Sequence, residues 1–375
     1  MSVLIAQSHS GMFYGSGCIL VNMLIRQVRL QNVRSHELFT AQIDPALTLV
    51  LGRNGTGKTT LLESLHYALR GTSFRGRDRD LIAHASTRAD LVVVDEDGER
   101  RASLQQLPDD RIKKLFIIES KTTARLPAKY RRPVVLFEPD ELRLISSSPE
   151  RRRRFFDGIL SRLYPQYGVI LSRYQRTLLQ RNELLKRRES VDPASWDAHL
   201  FAWDIKFAEL AREIIRQRRE FVVTANSHLS RLYSTIADSQ HHVVASYHSN
   251  VAADNYEQVL LSRLHSQRLA DSFRGYTSVG PHRDDTLFTL DGHPANEVAS
   301  RGEMRTIMLA IKLLEVELQQ AATNQSPLIL LDDVFSELDT QREKQLMATL
   351  QPFQTIITAT DLRDELKTNA SIIKL

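Results

Sequence analysis

The chain has 375 residues, 42% hydrophobic and 25% charged. These proportions belong to a soluble globular protein and exclude a disordered tail, a collagen and a coiled-coil rod. Its one cysteine, Cys18, rules out an internal disulfide framework or a thiolate zinc module, and no stretch approaches the roughly 20 apolar residues of a membrane span. Fifty Lys and Arg against 45 Asp and Glu give a net charge of +5. Residues 146–190 hold eleven basic and four acidic side chains, a local net of +7 that leaves the remainder slightly acidic. The length leads us to expect two or three domains.

Residues 1–22 are rich in Ser and Gly, carry no Lys or Arg and lack the basic start of a secretory signal. Gly15-Ser16-Gly17-Cys18 resembles a lipoprotein cleavage site only faintly, because Gly15 stands where an apolar residue is needed. We expect a disordered leader or a start codon placed too early, and a cytoplasmic protein.

Periodic structure begins at Met23. Residues 24–30 read as a strand, and Leu47-Thr48-Leu49-Val50-Leu51, bounded by Pro45 and Gly52, as a buried one. Residues 59–69 read as a helix with Leu62, Leu65 and Leu69 on one face and Gly71 at its stop. Leu91-Val92-Val93-Val94 before Asp97-Gly98 reads as a hairpin, and residues 134–137 as another buried strand. From 149 to 235 the apolar period becomes helical, with Pro165 expected to break the first helix and Pro193 to mark a loop. Short strands return around 284–300. A helix over 303–320, a buried strand over 328–331, a helix over 341–351 and a strand over 355–358 follow. Strands alternating with helices at both ends predict an α/β domain with a parallel sheet, into which the helical block is inserted. The expected divisions are 23–145 as the first part of an ATPase lobe, 146–283 as the inserted helical lobe and 284–375 as the return segment.

Gly52-Arg53-Asn54-Gly55-Thr56-Gly57-Lys58-Thr59 fits the phosphate-binding loop G-x-x-x-x-G-K-[ST], with a strand before it and a helix after. Its glycines let backbone N–H groups turn toward phosphates, and the helix opening at Lys58 adds its positive end. Lys58 is expected at the β- and γ-phosphates, Thr59 on Mg²⁺, and Thr60 beside them. The apolar strand ending in Asp332-Asp333 supplies carboxylates at the carboxyl end of a sheet, where ligands gather. Asp332 would hold the Mg²⁺ shell, and Asp333 would orient or deprotonate the attacking water.

Ser300-Arg301-Gly302-Glu303 resembles the signature motif of ABC-type ATPases, Ser336-Glu337-Leu338-Asp339 their D-loop, and Thr358 falls at their switch position. The order of P-loop, signature, acidic strand, D-loop and switch is complete. The insertion is longer than in transporter subunits and far shorter than the coiled coil of SMC-like proteins. The size is similar to that of the RecF family of bacterial recombination mediators. So are six further stretches: residues 31–35, 71–75, 137–142, 148–153, 180–186 and 279–285. There are departures. Arg301 and Glu303 replace the second Gly and the Gln of the common signature. Asp333 stands for the usual Glu, which points to slow hydrolysis. Residues 137–142 contain no Gln, so the Q-loop contact is unassigned.

The resemblance implies an ABC-ATPase head with a P-loop sheet core and an inserted helical lobe. Two copies would meet head to tail as an ATP-dependent homodimer, each ATP and Mg²⁺ held by one P-loop and by Ser300 and Gly302 of the other copy. Arg34 would gain a nucleotide role. ATP would act as a switch and hydrolysis would be weak. The partners implied are duplex or gapped DNA, or a single–double-strand junction, together with RecR, RecO and RecA, in recombinational repair, replication restart and the SOS response. The alternative is another ABC-type ATPase, transport-coupled or SMC-like; a nuclease-linked one would need a further carboxylate-rich domain.

The basic segment suits DNA phosphates, with Arg151, Arg152, Arg153 and Arg154 as contacts, and no base-reading motif accompanies it. A charge run on a long helix is also simply a solvated face. His282 reads either as a core or loop histidine or as a group near nucleotide or DNA, Arg75 as an ordinary ion-pair partner, and Trp196 and Trp203 as core.

Overall fold

A computed structural model describes residues 24–251, 254–361 and 370–375; residues 1–22, read above as a leader, lie outside it. The chain opens with β1 (Gln27–Val33), β2 (His36–Gln42), β3 (Leu47–Leu51), α1 (Lys58–Arg70), β4 (Arg88–Asp95), β5 (Gly98–Gln106), β6 (Ile112–Ile118), β7 (Lys121–Thr123) and β8 (Val134–Phe137). Next come α2 (Pro149–Leu163), α3 (Pro165–Lys186), α4 (Pro193–Asn226), α5 (Leu229–Ala237), β9 (Val243–His248) and α6 (Tyr256–Arg274). The return comprises β10 (Asp285–Leu290), β11 (His293–Pro294), α7 (Ala295–Val298), α8 (Arg301–Thr323), β12 (Leu328–Asp332), α9 (Thr340–Leu350), β13 (Thr355–Ala359) and β14 (Ser371–Lys374).

Five strands form a wholly parallel sheet in the order β14-β3-β13-β12-β8. Strands β3, β13, β12 and β8 read as largely apolar runs because both faces are buried, and strand alternation divides them between two cores. Leu49, Ile329, Leu331, Ile357, Val135 and Phe137 face the core shared with α8 and the inserted lobe. Val50, Leu328, Leu330, Ile356, Val134 and Leu136 face the core built with α1 and a second sheet. The parallel α/β expectation therefore holds.

The second sheet, antiparallel in the order β2-β1-β4-β5-β6-β7, covers the far side of α1. Only its β4–β5 hairpin and the approximate place of β1 were legible; in β2 and β6 polar residues such as Glu37, Lys113 and Lys114 weaken the strand signal. Lying between two sheets, α1 buries Leu61 and Ala68 as well as the stripe of Leu62, Leu65 and Leu69.

The inserted segment contains more than helices. Strand β9 pairs with β10 in a three-stranded antiparallel sheet, so the expected division at 283/284 falls between strands that pair. Pro165 ends α2 as expected and opens α3. Pro193 stands at the first turn of α4 rather than within a loop, with the Asp192 side chain accepting the Ser195 N–H at 3.0 Å.

Candidate nucleotide site

The parallel topology brings the carboxyl ends of β3, β12, β13 and β8 to one edge. Residues 52–57 leave β3 there and enter α1. Gly57 caps the helix at φ 103°, and a Cβ on it would lie 2.5 Å from His36 Nε2, so only glycine fits. Arg53, Asn54 and Gly55 are exposed, Gly52, Thr56 and Gly57 half-buried, and Thr60 buried in the first turn. Lys58 is buried, its Nζ donating to the carbonyls of Gly52 at 2.6 Å and Arg53 at 3.0 Å.

The hydroxyls of Thr59 and Thr358 each donate to Asp332 Oδ1 at 2.8 Å. The Asp333 N–H donates to Thr358 Oγ1 at 3.1 Å, and Asp333 adopts φ 52°. Strands β3, β12 and β13 thus bring Lys58, Thr59, Asp332, Asp333 and Thr358 together. Burial raises the Asp333 pKa above the usual carboxylate range against the pull of Lys58, with Asp332 and Glu337 adding to the rise. A hydroxyl and a carboxylate are hard oxygen donors that suit Mg²⁺, whose remaining positions go to water and phosphate. Among the described residues no cluster of three or more His, Cys, Asp or Glu offers another metal site.

Sequence reasoning missed Glu138. It follows β8 level with Asp332, the last residue of β12, and shares the strand-end placement that singled out Asp332. Burial raises its pKa to about 7, assisted by Glu141 and Asp332 and opposed by Lys312.

Arg34 forms a two-pronged ion pair with the buried Glu63 of α1, at 2.7 and 2.9 Å, so its charge is already matched within the fold. Its position carries no separate argument for a nucleotide contact.

Ser300 caps α8, and its helix carries the half-buried Gly302 in the first turn. No hydrogen bond or ion pair among the described residues links 300–303 to 52–60. In the D-loop, Asp339 caps α9 and Glu337 is held by Arg143 and Arg305.

The four arginines of α2 point different ways. Arg151 and Arg154 are exposed, near Asp140 and Glu150. Arg152 is buried on the stripe that continues through Phe156, Ile159, Leu160 and Leu163. It grips Asp285 at 2.9 and 2.5 Å and caps the carbonyls of Ile145 and Ser147. The expectation of a phosphate contact is corrected for Arg152, which is an internal ion-pair partner. Half-buried Arg153 donates to the Asp284 carbonyl at 2.6 Å. Arg181, also within the basic segment, is fully buried against Asp204.

His282 is structural: Tyr174 OH lies 2.6 Å from its Nδ1 and the Thr277 carbonyl 2.9 Å from its Nε2. Trp196 is core, with Nε1 donating to the Leu184 carbonyl.

The AAA domain family matches residues 27–159. A DNA replication and repair protein RecF from Agathobacter rectalis is 31% identical over 372 residues, covering 94% of this chain and 96% of the relative. One from Chloroflexus aurantiacus is 33% identical over 370 residues, covering 91% and 94%. Among solved structures, the recombination mediator protein RecF with ATP, described as part of the RecFOR pathway, superposes with a TM-score of 0.79 at 26% identity over 94% of this chain and 95% of that one. The same mediator with ATPrS gives 0.81 at 25% identity, covering 94% and 96%.

Proposed function

The chain belongs to the RecF family of DNA replication and repair proteins, and on that premise we propose that it is an ATP-operated DNA-binding switch of recombinational repair. The observation that carries this reading is the convergence of Thr59 and Thr358 on Asp332 Oδ1, with Lys58 and Asp333 at the same sheet edge.

ATP would lie along residues 52–60, its phosphates taking the P-loop N–H groups and the Lys58 ammonium in place of the Gly52 and Arg53 carbonyls. Thr59 and Asp332 would hold Mg²⁺, which when bound neutralises charge on the β- and γ-phosphates. Asp333, with its raised pKa, orients the attacking water and accepts its proton; its short side chain suits slow hydrolysis. Thr358 ties Asp333 to Asp332, coupling the water to the phosphates.

In the arrangement that the family resemblance implies, a second copy would supply Ser300 and Gly302 to each nucleotide. ATP then closes a homodimer, and hydrolysis opens it. Exposed Arg151 and Arg154 offer sequence-independent contacts to duplex or gapped DNA. The solved relatives are described as recombination mediators of the RecFOR pathway. Work with RecO and RecR to load RecA, support of the SOS response and a cytoplasmic site of action are the corresponding roles for this chain. Among the described residues no helix is long and apolar enough to cross a membrane.

The test is duplex DNA binding with ATP, with ADP and with neither, for wild type and Ser300→Arg. Binding that needs ATP and disappears in the variant is expected. Binding indifferent to both overturns the switch.

A further inference from the structure

The helix that opens the signature segment already carries an anion. Ser300 and Glu303 form a reciprocal cap: Ser300 Oγ accepts the Glu303 N–H at 3.2 Å, and Glu303 Oε2 accepts the Ser300 N–H at 2.7 Å. The Ser300 hydrogen bonds hold the Glu303 carboxyl below its usual pKa, with smaller help from His241 and Arg342, so it is charged at neutral pH. An arginine and a histidine frame it. The Arg342 guanidinium lies 3.4 Å from where a Cβ on Gly302 would stand, fixed by Nε donating to Thr306 Oγ1 at 2.7 Å and by its pair with Asp339. His241 Nε2 lies 3.9 Å from Glu303 Oε1, while its Nδ1 meets Asp291 at 2.6 Å.

The first turn of a helix leaves N–H donors and a partial positive charge that favour an anion. Here the Glu303 N–H is already taken by Ser300, and the Glu303 carboxylate already sits at that positive end. The Ser300 hydroxyl can donate to a phosphate while accepting from Glu303, because a hydroxyl does both. The Ser300 N–H cannot serve the carboxylate and a phosphate oxygen equally, and the carboxylate's charge repels the phosphate at any close approach.

We propose that Glu303 is a resident anion that competes with the γ-phosphate of the partner copy's ATP, and so raises the protein concentration at which two heads close. The inference rests on the signature reading given under the proposed function. It concerns residue 303, where the common signature has a neutral Gln. A Gln here keeps the hydrogen bond to the Ser300 N–H through its carbonyl, drops the charge and adds an NH₂ donor toward the phosphate. Charge and cap geometry can therefore be separated.

The experiment is sedimentation of the full chain over a protein concentration series with ATP and Mg²⁺, comparing wild type, Glu303→Gln, Glu303→Ala and Ser300→Arg. Glu303→Gln is expected to move the dimer midpoint to about tenfold lower concentration, the effect of removing one like-charge contact at each of the two sites. The gap should narrow as salt rises from about 0.05 to 0.5 M. Glu303→Ala, which loses both cap and charge, should also dimerise more readily; if it dimerises less well than wild type while Glu303→Gln matches wild type, Glu303 acts only as a structural cap and the inference is overturned. A midpoint unchanged or raised in Glu303→Gln overturns it too. Ser300→Arg separates the two levels: a variant that still dimerises with ATP means that the signature reading itself has failed.

Discussion

Thr59 and Asp332 are 273 positions apart in the chain, and the hydroxyl of one lies 2.8 Å from a carboxylate oxygen of the other. Parallel pairing of β12 with β13 and of β13 with β3 makes that contact, because it places three strand ends side by side. Thr358, on the strand between them, donates to the same oxygen. Asp332→Asn keeps an acceptor for these hydroxyls but halves the oxygen donors and removes the charge. Mg²⁺-dependent ATP hydrolysis should fall by about a hundredfold or more. Binding of a fluorescent ATP analogue without Mg²⁺ should change little. Equal losses in both assays would mean that Asp332 supports the P-loop fold rather than the metal.

Asp333 occupies the next position with a different task. It sits at φ 52°, its N–H tied to Thr358, so its side chain leaves the strand line that Asp332 follows. Asp333→Asn retains size and shape at that backbone angle, which Asn tolerates. Single-turnover hydrolysis should drop by about two to three orders of magnitude while ATP binding persists. The ATP-held dimer and its DNA complex should therefore live longer than in wild type. A short-lived complex in the variant would show that release does not wait for hydrolysis.

The arginines of α2 give a contrast within a single turn. Consecutive helix positions are about 100° apart, so four of them cannot share one face. Reversing Arg151 and Arg154 to Glu should weaken duplex binding and make it less steeply salt-dependent, by roughly one unit of slope for each phosphate no longer neutralised. Arg152→Ala should act on the fold instead. It strands Asp285 and two carbonyls in a largely buried setting, at a cost of about 3 kcal/mol. Urea denaturation should register that destabilisation, whereas an intact fold with weakened DNA binding would return Arg152 to the DNA surface.

These cases show which parts of the molecule were legible in the sequence. The P-loop and the Asp332 strand were readable because their chemistry is local: a glycine pattern, an apolar run and the residue that ends it. The parallel sheet was readable for the same reason. Strands β2 and β6 were not, since one face of each is wet and their apolar alternation is broken by polar residues such as Glu37, Lys113 and Lys114. Arg152 and Arg181 looked like surface charge because their partners Asp285, Asp204 and Asp271 are distant in sequence. Glu138 was missed because the ABC pattern expects a glutamine in that segment, although Glu138 obeys the strand-end rule that identified Asp332.

His282 shows a buried partnership of this kind with a consequence for pH. With Tyr174 OH at Nδ1 and the Thr277 carbonyl at Nε2, the neutral ring with its proton on Nε2 satisfies both contacts, Tyr174 donating and Thr277 accepting. Burial lowers its pKa from 6.5 to about 4, with Arg283, Arg153 and Arg181 pushing the same way and the Thr277 carbonyl opposing. A folded-state pKa below the unfolded one means that the unfolded chain binds the proton first. The stability conferred is therefore complete above about pH 6.5 and is lost as pH falls from there through 4. Allowing for partial solvent access, the loss by pH 5 is about 1–2 kcal/mol. His282→Gln, which can still accept from Tyr174, should flatten this part of the profile. The difference between the two urea midpoints should shrink from pH 7.5 to pH 5, while acid effects from groups common to both proteins cancel. A difference that stays constant over that window would show that His282 is not held neutral, and that the acid sensitivity of the inserted lobe comes from its buried Asp residues instead.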